Sequence, residues 1–397
     1  MGTACVASRQ EEHMLDPYLK QGESLTTLKL NNAKIGDEEA ITISKNTAWT
    51  NLDTLDLSAN KIGDNGLSEI SKNTTWTKLT TLDLSRNSLI NDGIIAISQN
   101  TAWTNLTTLN LSKNRICAEG ARALSENTSW SNLKTLKLSG NSIGNSGASG
   151  ISKNSTWKNL TTLNLKSNKI GAEGARALSE NTSWSNLQTL KLSCNWIRDE
   201  GASALSKNPT WMKLTTLNLS KNQICDNGVS ALSNNTSWTN LNILNLQGNE
   251  ISDDGAIALG KNTSWTNLTT LELSHNKIGA QGASGLSKNT TWTNLTTLDL
   301  SFNSLGNEGA IELSKNSTWT NLTALGLENN LIGYEGANAI KNNTSWTNLT
   351  SLSLSRNKFG DEEASPLSKN TSQLSMTGEL RHSARTPPGR TSPLLTY

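Results

Sequence analysis

Two phenylalanines, three tyrosines, three histidines, four cysteines and six prolines are few for a chain of 397 residues. Charge is sparse as well, at 17% of residues with a net charge of +2. That balance gives no basis for a general nucleic-acid binder or an acidic-membrane binder. No run of 18 apolar residues exists, which excludes a bilayer-spanning helix. The N-terminal MGTACVASRQEEHMLDPYLK has no apolar core, so no secretory signal is expected, and Val6 stands where a myristoylation site needs Ser or Thr. Cys5, Cys117, Cys194 and Cys225 form no CxxC pair and have no His-rich companion, so no zinc site is expected. Free thiols and the missing signal point to a reducing, cytoplasmic setting. With histidines only at His13, His275 and His382, no Ser-His-Asp or Cys-His set assembles. No P-loop, GxGxxG, HExxH or EF-hand loop is present. The sequence therefore predicts no catalytic residue, no metal, no cofactor and no enzymatic activity.

What the chain has in abundance is repetition. Tryptophan recurs at one constant interval, from Trp49, Trp76 and Trp103 through Trp292 and Trp319 to Trp346, and Trp196 alone falls off that ladder. Counted from the first strand leucine, units 1 to 13 begin at Leu25, Leu52, Leu79 and so on to Leu349. Their shared pattern is LTTLxLSxNxIGxxGAxxLSKNTxWTN. In unit 11, Leu295, Leu298 and Leu300 alternate as a strand with one buried face. Asn303 closes the strand, and an Asn recurs there in twelve of thirteen units, including Asn60, Asn87 and Asn114. An amide there can satisfy backbone groups where each turn leaves the sheet. The segment 306–316, GNEGAIELSKN, predicts a helix whose acidic or amide start and Lys315 suit the helix dipole. Gly309, Ala310 and Leu313 face the sheet, and Asn316 is expected to end the helix in the left-handed conformation. Trp76, Trp103, Trp292 and their equivalents are expected to stack in a buried column.

The pattern LxxLxLxxNxI followed by GAxxLxxN resembles the leucine-rich repeat family, and more narrowly its ribonuclease-inhibitor-like subtype, over residues 25 to about 370. The resemblance implies an α/β leucine-rich-repeat solenoid, a right-handed horseshoe of 13 units, each about 27 residues long. Parallel strands would line the concave face and short helices the convex face. One unit cannot bury its own apolar face, so stacking supplies the core. The ends depart from the pattern as caps do. Ala33 replaces the ladder Asn in the first unit, Glu39 and Glu363 stand in a Gly position, and Pro366 interrupts the last helix. Residues 1–24 read as an N-terminal cap segment, 25–372 as the repeat domain and 373–397 as a disordered tail.

Function must lie where the repeat leaves freedom. The fifth strand position carries Lys29, Asp56 and Asp83 early, Lys137 and Lys191 in the middle, and Glu272, Asp299 and Gly326 late. Those zones read either as ordinary solvated charge or as a charge-matched surface. Against a background of Thr stand Trp196, His275 and Phe302, the last two just before a ladder Asn. Neutral drift on a solvated loop is the plainer account of them, but exposed aromatics on a rigid scaffold are favoured hot spots. The candidate partner-binding set is Trp196, His275, Phe302, Glu272, Asp299 and Lys191. Sequons such as Asn73, Asn127, Asn181 and Asn262 follow from the repeat itself.

These observations predict a non-enzymatic scaffold, a monomer, that binds a partner protein on its concave face, with no nucleic acid and no membrane involved. Sensor arrays of NOD-like receptors are similar. Ran GTPase-activating proteins share the subtype and give the alternative, although their acidic tail contrasts with Arg381, Arg385 and Arg390 here. Ribonuclease inhibition fits poorly with a charge of +2 and four cysteines.

Overall fold

The computed structural model describes residues 15–358. Cys5, His13, Glu363, Pro366, His382 and the 373–397 segment lie outside the described residues. Thirteen three-residue strands, from β1 (Thr27–Lys29) to β13 (Ser351–Ser353), form one parallel sheet in chain order. Every pair keeps the same register, so each residue faces its equivalent in the next unit, as Leu271 faces Leu298 in β10 (Thr270–Glu272) and β11 (Thr297–Asp299). Each strand turns its central Leu into the core, and the residues before and after it to the inner face. An α-helix of seven to nine residues follows each of the first twelve strands and covers the other side. The family's α/β solenoid is thus the observed architecture.

Neighbouring helices lie close to one another because the residue between them is small. A Cβ on Gly309 would come within 3.1 Å of the Ala280 backbone in the preceding unit. From the second unit onward the same three helix residues are buried, as are Gly309, Ala310 and Leu313 in Gly306–Ser314, whereas the first helix has the half-buried Glu39 at the Gly position. Leu15 joins this core at the N-terminal end, and Tyr18 O accepts the Trp49 indole N–H at 3.3 Å.

Three asparagine columns join unit to unit. The ladder residue Asn303 donates through Nδ2 to Leu273 O at 3.0 Å and Leu300 O at 2.9 Å, and its Oδ1 accepts from Ile278 N at 2.9 Å. Asn60, Asn87 and Asn114 repeat the pattern toward Leu30, Leu57 and Leu84. The exposed column donates to a main-chain carbonyl one unit back, most often of a Thr, as Asn294 does to Thr266 O. The helix-end column departs from expectation, because none of its asparagines among the described residues is left-handed. Asn316 is buried, its Nδ2 reaches Ser287 O and Asn289 O of the previous unit, and its Oδ1 accepts from Thr318 N and Trp319 N. A left-handed turn there would swing the amide away from both neighbours. The left-handed residue is instead the one before the ladder Asn, such as Arg86, His275 or Phe302.

The indoles are buried as expected, and Trp49, Trp76 and Trp103 stack at 6.3 and 6.4 Å. Their N–H groups divide. Trp76 and Trp103 donate to Asn46 O and Asn73 O, whereas the nine indoles from Trp130 to Trp346 have no acceptor. Nine unmet donors make this column costlier than its buried area suggests.

The Asp or Asn that opens a helix does more than complement its dipole. Asp253 Oδ1 accepts from Gly279 N at 2.7 Å and Gly282 N at 2.8 Å in the next unit, and seven other units make the equivalent first bond. Where Ala118, Ala172 and Ala280 hold that place, the next unit changes conformation. Gly144, Arg198 and Gly306 take φ of 61°, 55° and 61° and donate forward to Asn168 O, Asn222 O and Asn330 O. One unit further on, Lys169, Gln223 and Leu331 are left-handed in turn.

Candidate functional site

The turn that follows each strand places His275 and Phe302 at equivalent positions of units 10 and 11, both with left-handed backbone. The rings stack with centroids 4.1 Å apart and planes 9° from parallel. Arg356, two units beyond Phe302, brings its guanidinium to 6.0 Å from the Phe302 ring and 3.5 Å from Glu328. Spacing alone could have identified Arg356, since it stands at the His275 and Phe302 position, but it was not among the sequence candidates.

Beneath the aromatic pair, Glu272 and Asp299 are direct partners across β10 and β11. Burial, and then the Asp299 charge, holds the Glu272 carboxyl above the usual carboxylate range. Asp299 accepts from Ser301 N at 2.9 Å and leans over Gly326, where an added Cβ would collide with Asp299 Oδ1. Gly326, in β12 (Ala324–Gly326), therefore leaves room for the carboxylate. Neither Glu272 nor Asp299 is paired with a basic side chain among the described ion pairs.

Four sequence candidates are thus brought together: Glu272, His275, Asp299 and Phe302. Two are not. Lys191 is exposed at the end of β7 (Thr189–Lys191), and Trp196 lies in the same unit, 50% exposed, with its backbone N–H donating to Ile170 O. Both are three units from His275. Cys117, Cys194 and Cys225 are free thiols, and burial pushes the Cys225 thiol up. Among the described residues, no group of three or more His, Cys, Asp or Glu could hold a metal ion, and no helix is long and apolar enough to cross a membrane.

With this geometry in place, the comparisons agree on the architecture. The model of the Leucine Rich repeat family matches eleven segments, from 50–71 through 293–314 and again at 347–368, together more than half of the chain. The chain belongs to the leucine-rich repeat family. Among solved structures it is similar to an internalin of Listeria monocytogenes, with 24% identity, a TM-score of 0.63, and coverage of 91% of this chain and 93% of that one. It is also similar to a leucine-rich repeat protein of Leptospira interrogans, with 22% identity, a TM-score of 0.52, and coverage of 84% and 74%. At these identities the likeness concerns the fold. No curated protein matches the chain by sequence.

Proposed function

We propose that the chain is a non-enzymatic scaffold that binds a partner protein on its concave face, centred on units 10 to 13. The observation that carries this is the stacked His275–Phe302 pair, two large rings against a face built mainly of Thr, Ser, Asn and single charged residues. A rigid aromatic pair loses little entropy when a partner covers it. Glu272 and Asp299 beside it supply charge for selectivity. Lys191 and Trp196 form a second zone three units away. The α-helical outer layer, with seven to nine residues in each helix, favours the ribonuclease-inhibitor-like subtype within the family. The unpaired thiols fit a monomer working in a reducing compartment.

The test compares affinity capture from cytosolic lysate by the intact chain, by a His275→Ala/Phe302→Ala variant and by Trp196→Ala. Loss of a partner only in the double variant supports the reading. Identical capture by all three contradicts it. A small GTPase lost in the same way, and stimulated in a GTPase assay, would turn the reading to a catalytic activator.

A further inference from the structure

Within that proposed binding surface, we infer that the Glu272–Asp299 pair is built to receive an arginine side chain of the partner protein. The argument starts from charge. Two acidic residues face each other on adjacent strands, whose backbones lie about 5 Å apart by ordinary sheet spacing. The nearby cation does not relieve them, because Arg356 is engaged with Glu328 and Phe302. Like charges held together without a counterion are costly, and an incoming cation removes the cost.

A second observation points to a missing guest. Ser274 is only 2% exposed, and its Oγ has no hydrogen-bond partner. The equivalent hydroxyls of Ser85 and Ser220 bond the fifth-position side chain of their own unit, Asp83 and Asn218, on the inner face. Ser274 stands at the same position relative to Glu272 and lacks that bond. The Glu272 carboxyl is engaged with Asp299 instead, which leaves the hydroxyl bare beside the acidic pair. A buried polar atom left unmet is costly, and it gains a partner when a guest draws the Glu272 carboxyl away from Asp299.

Shape favours arginine over lysine. A guanidinium is planar, bonds two carboxylates through its fork and stacks on aromatic rings. The protein already uses that chemistry internally, where Arg356 meets both Phe302 and a carboxylate. Gly326 keeps the Asp299 side of the slot open.

The experiment is an amide NMR titration of the full chain with N-acetyl-arginine amide, with N-acetyl-citrulline amide as the neutral isostere. Saturable shifts at Glu272, Ser274, His275 and Gly326 are expected with the arginine compound. The citrulline compound should bind about tenfold more weakly or worse, since its contacts lack the charge assistance. The response should vanish in Glu272→Gln/Asp299→Asn, whose unchanged remaining spectrum shows an intact fold. No saturable response, an equal response to both compounds, or persistence in the double variant overturns the assignment. If a partner is lost from Phe302→Ala but held unchanged by Glu272→Gln/Asp299→Asn, the arginine contact fails and the wider binding surface stands. If neither variant loses it, the wider reading falls as well.

Discussion

Ala172 sets the backbone of Arg198 in the next unit. With no side-chain oxygen at 172 to receive it, the Arg198 N–H turns to Asn222 O, and Arg198 sits at φ 55°. Gln223 follows at φ 57°. A left-handed non-glycine residue costs about 1–2 kcal/mol. Ala172→Asp supplies the oxygen that Asp253 supplies in its own unit. It should return Arg198 to negative φ and raise stability by about 1 kcal/mol, because the left-handed strain is removed. A urea midpoint and a crystal structure of the variant check both parts, and an unchanged φ at 198 would break the proposed link.

The two classes of indole should respond differently to substitution. Trp211→Ala opens a cavity in the column and should cost about 3–5 kcal/mol in chemical unfolding. Phenylalanine separates packing from hydrogen bonding. Trp103 donates to Asn73 O, whereas Trp211 has no acceptor. Trp103→Phe should therefore cost about 1 kcal/mol more than Trp211→Phe, the worth of one hydrogen bond. Equal costs would mean that the Trp103 bond contributes nothing.

Asn303 offers a test of the ladder. Asn303→Ala leaves Leu273 O, Leu300 O and Ile278 N without their partner. Its cost should be at least about 2 kcal/mol by equilibrium unfolding, since buried groups are left unmet. Asn303→Asp should be worse near neutral pH, where a carboxylate faces two carbonyl oxygens. The order of the two variants is the readout.

Glu272 predicts a pH dependence. Its folded carboxyl titrates above the ordinary range, chiefly through burial and then through Asp299. The folded state therefore holds that proton more tightly than the unfolded chain does. Stability from this group is full below the unfolded value of about 4.3 and is lost as pH rises through the higher folded value. Glu272→Gln removes the dependence. The variant should be the more stable protein at pH 7, and its advantage should vanish toward pH 4. Thermal melts across that interval measure it, and a constant difference would contradict the sign.

Much of the fold was legible because a constant repeat interval maps every residue onto an equivalent one. Leu298 and Trp292 could be placed without coordinates, and His275 could be set beside Phe302. Arg356 was equally placeable, but as one more surface Arg among plainer residues it gave no separate signal. The loops were hidden for another reason. Gly63 and Gly144 occupy the same position, yet Gly144 is left-handed and Gly63, with φ −100°, is not. The difference is set one unit earlier, by Asp37 against Ala118. Pattern within a unit cannot show a rule that runs between units. The helix-end asparagines misled for a related reason, because local propensity favoured a left-handed cap while inter-unit bonds required an extended one, as at Asn127.

Hydrogen–deuterium exchange on the complex with a captured partner addresses the binding surface directly. Protection should gather on β10 to β12 and around His275 and Phe302, and fade toward β1. Protection confined to the outer helices, such as Asp253–Gly260 and Ala280–Ser287, would place the partner on the convex side and contradict the proposed surface.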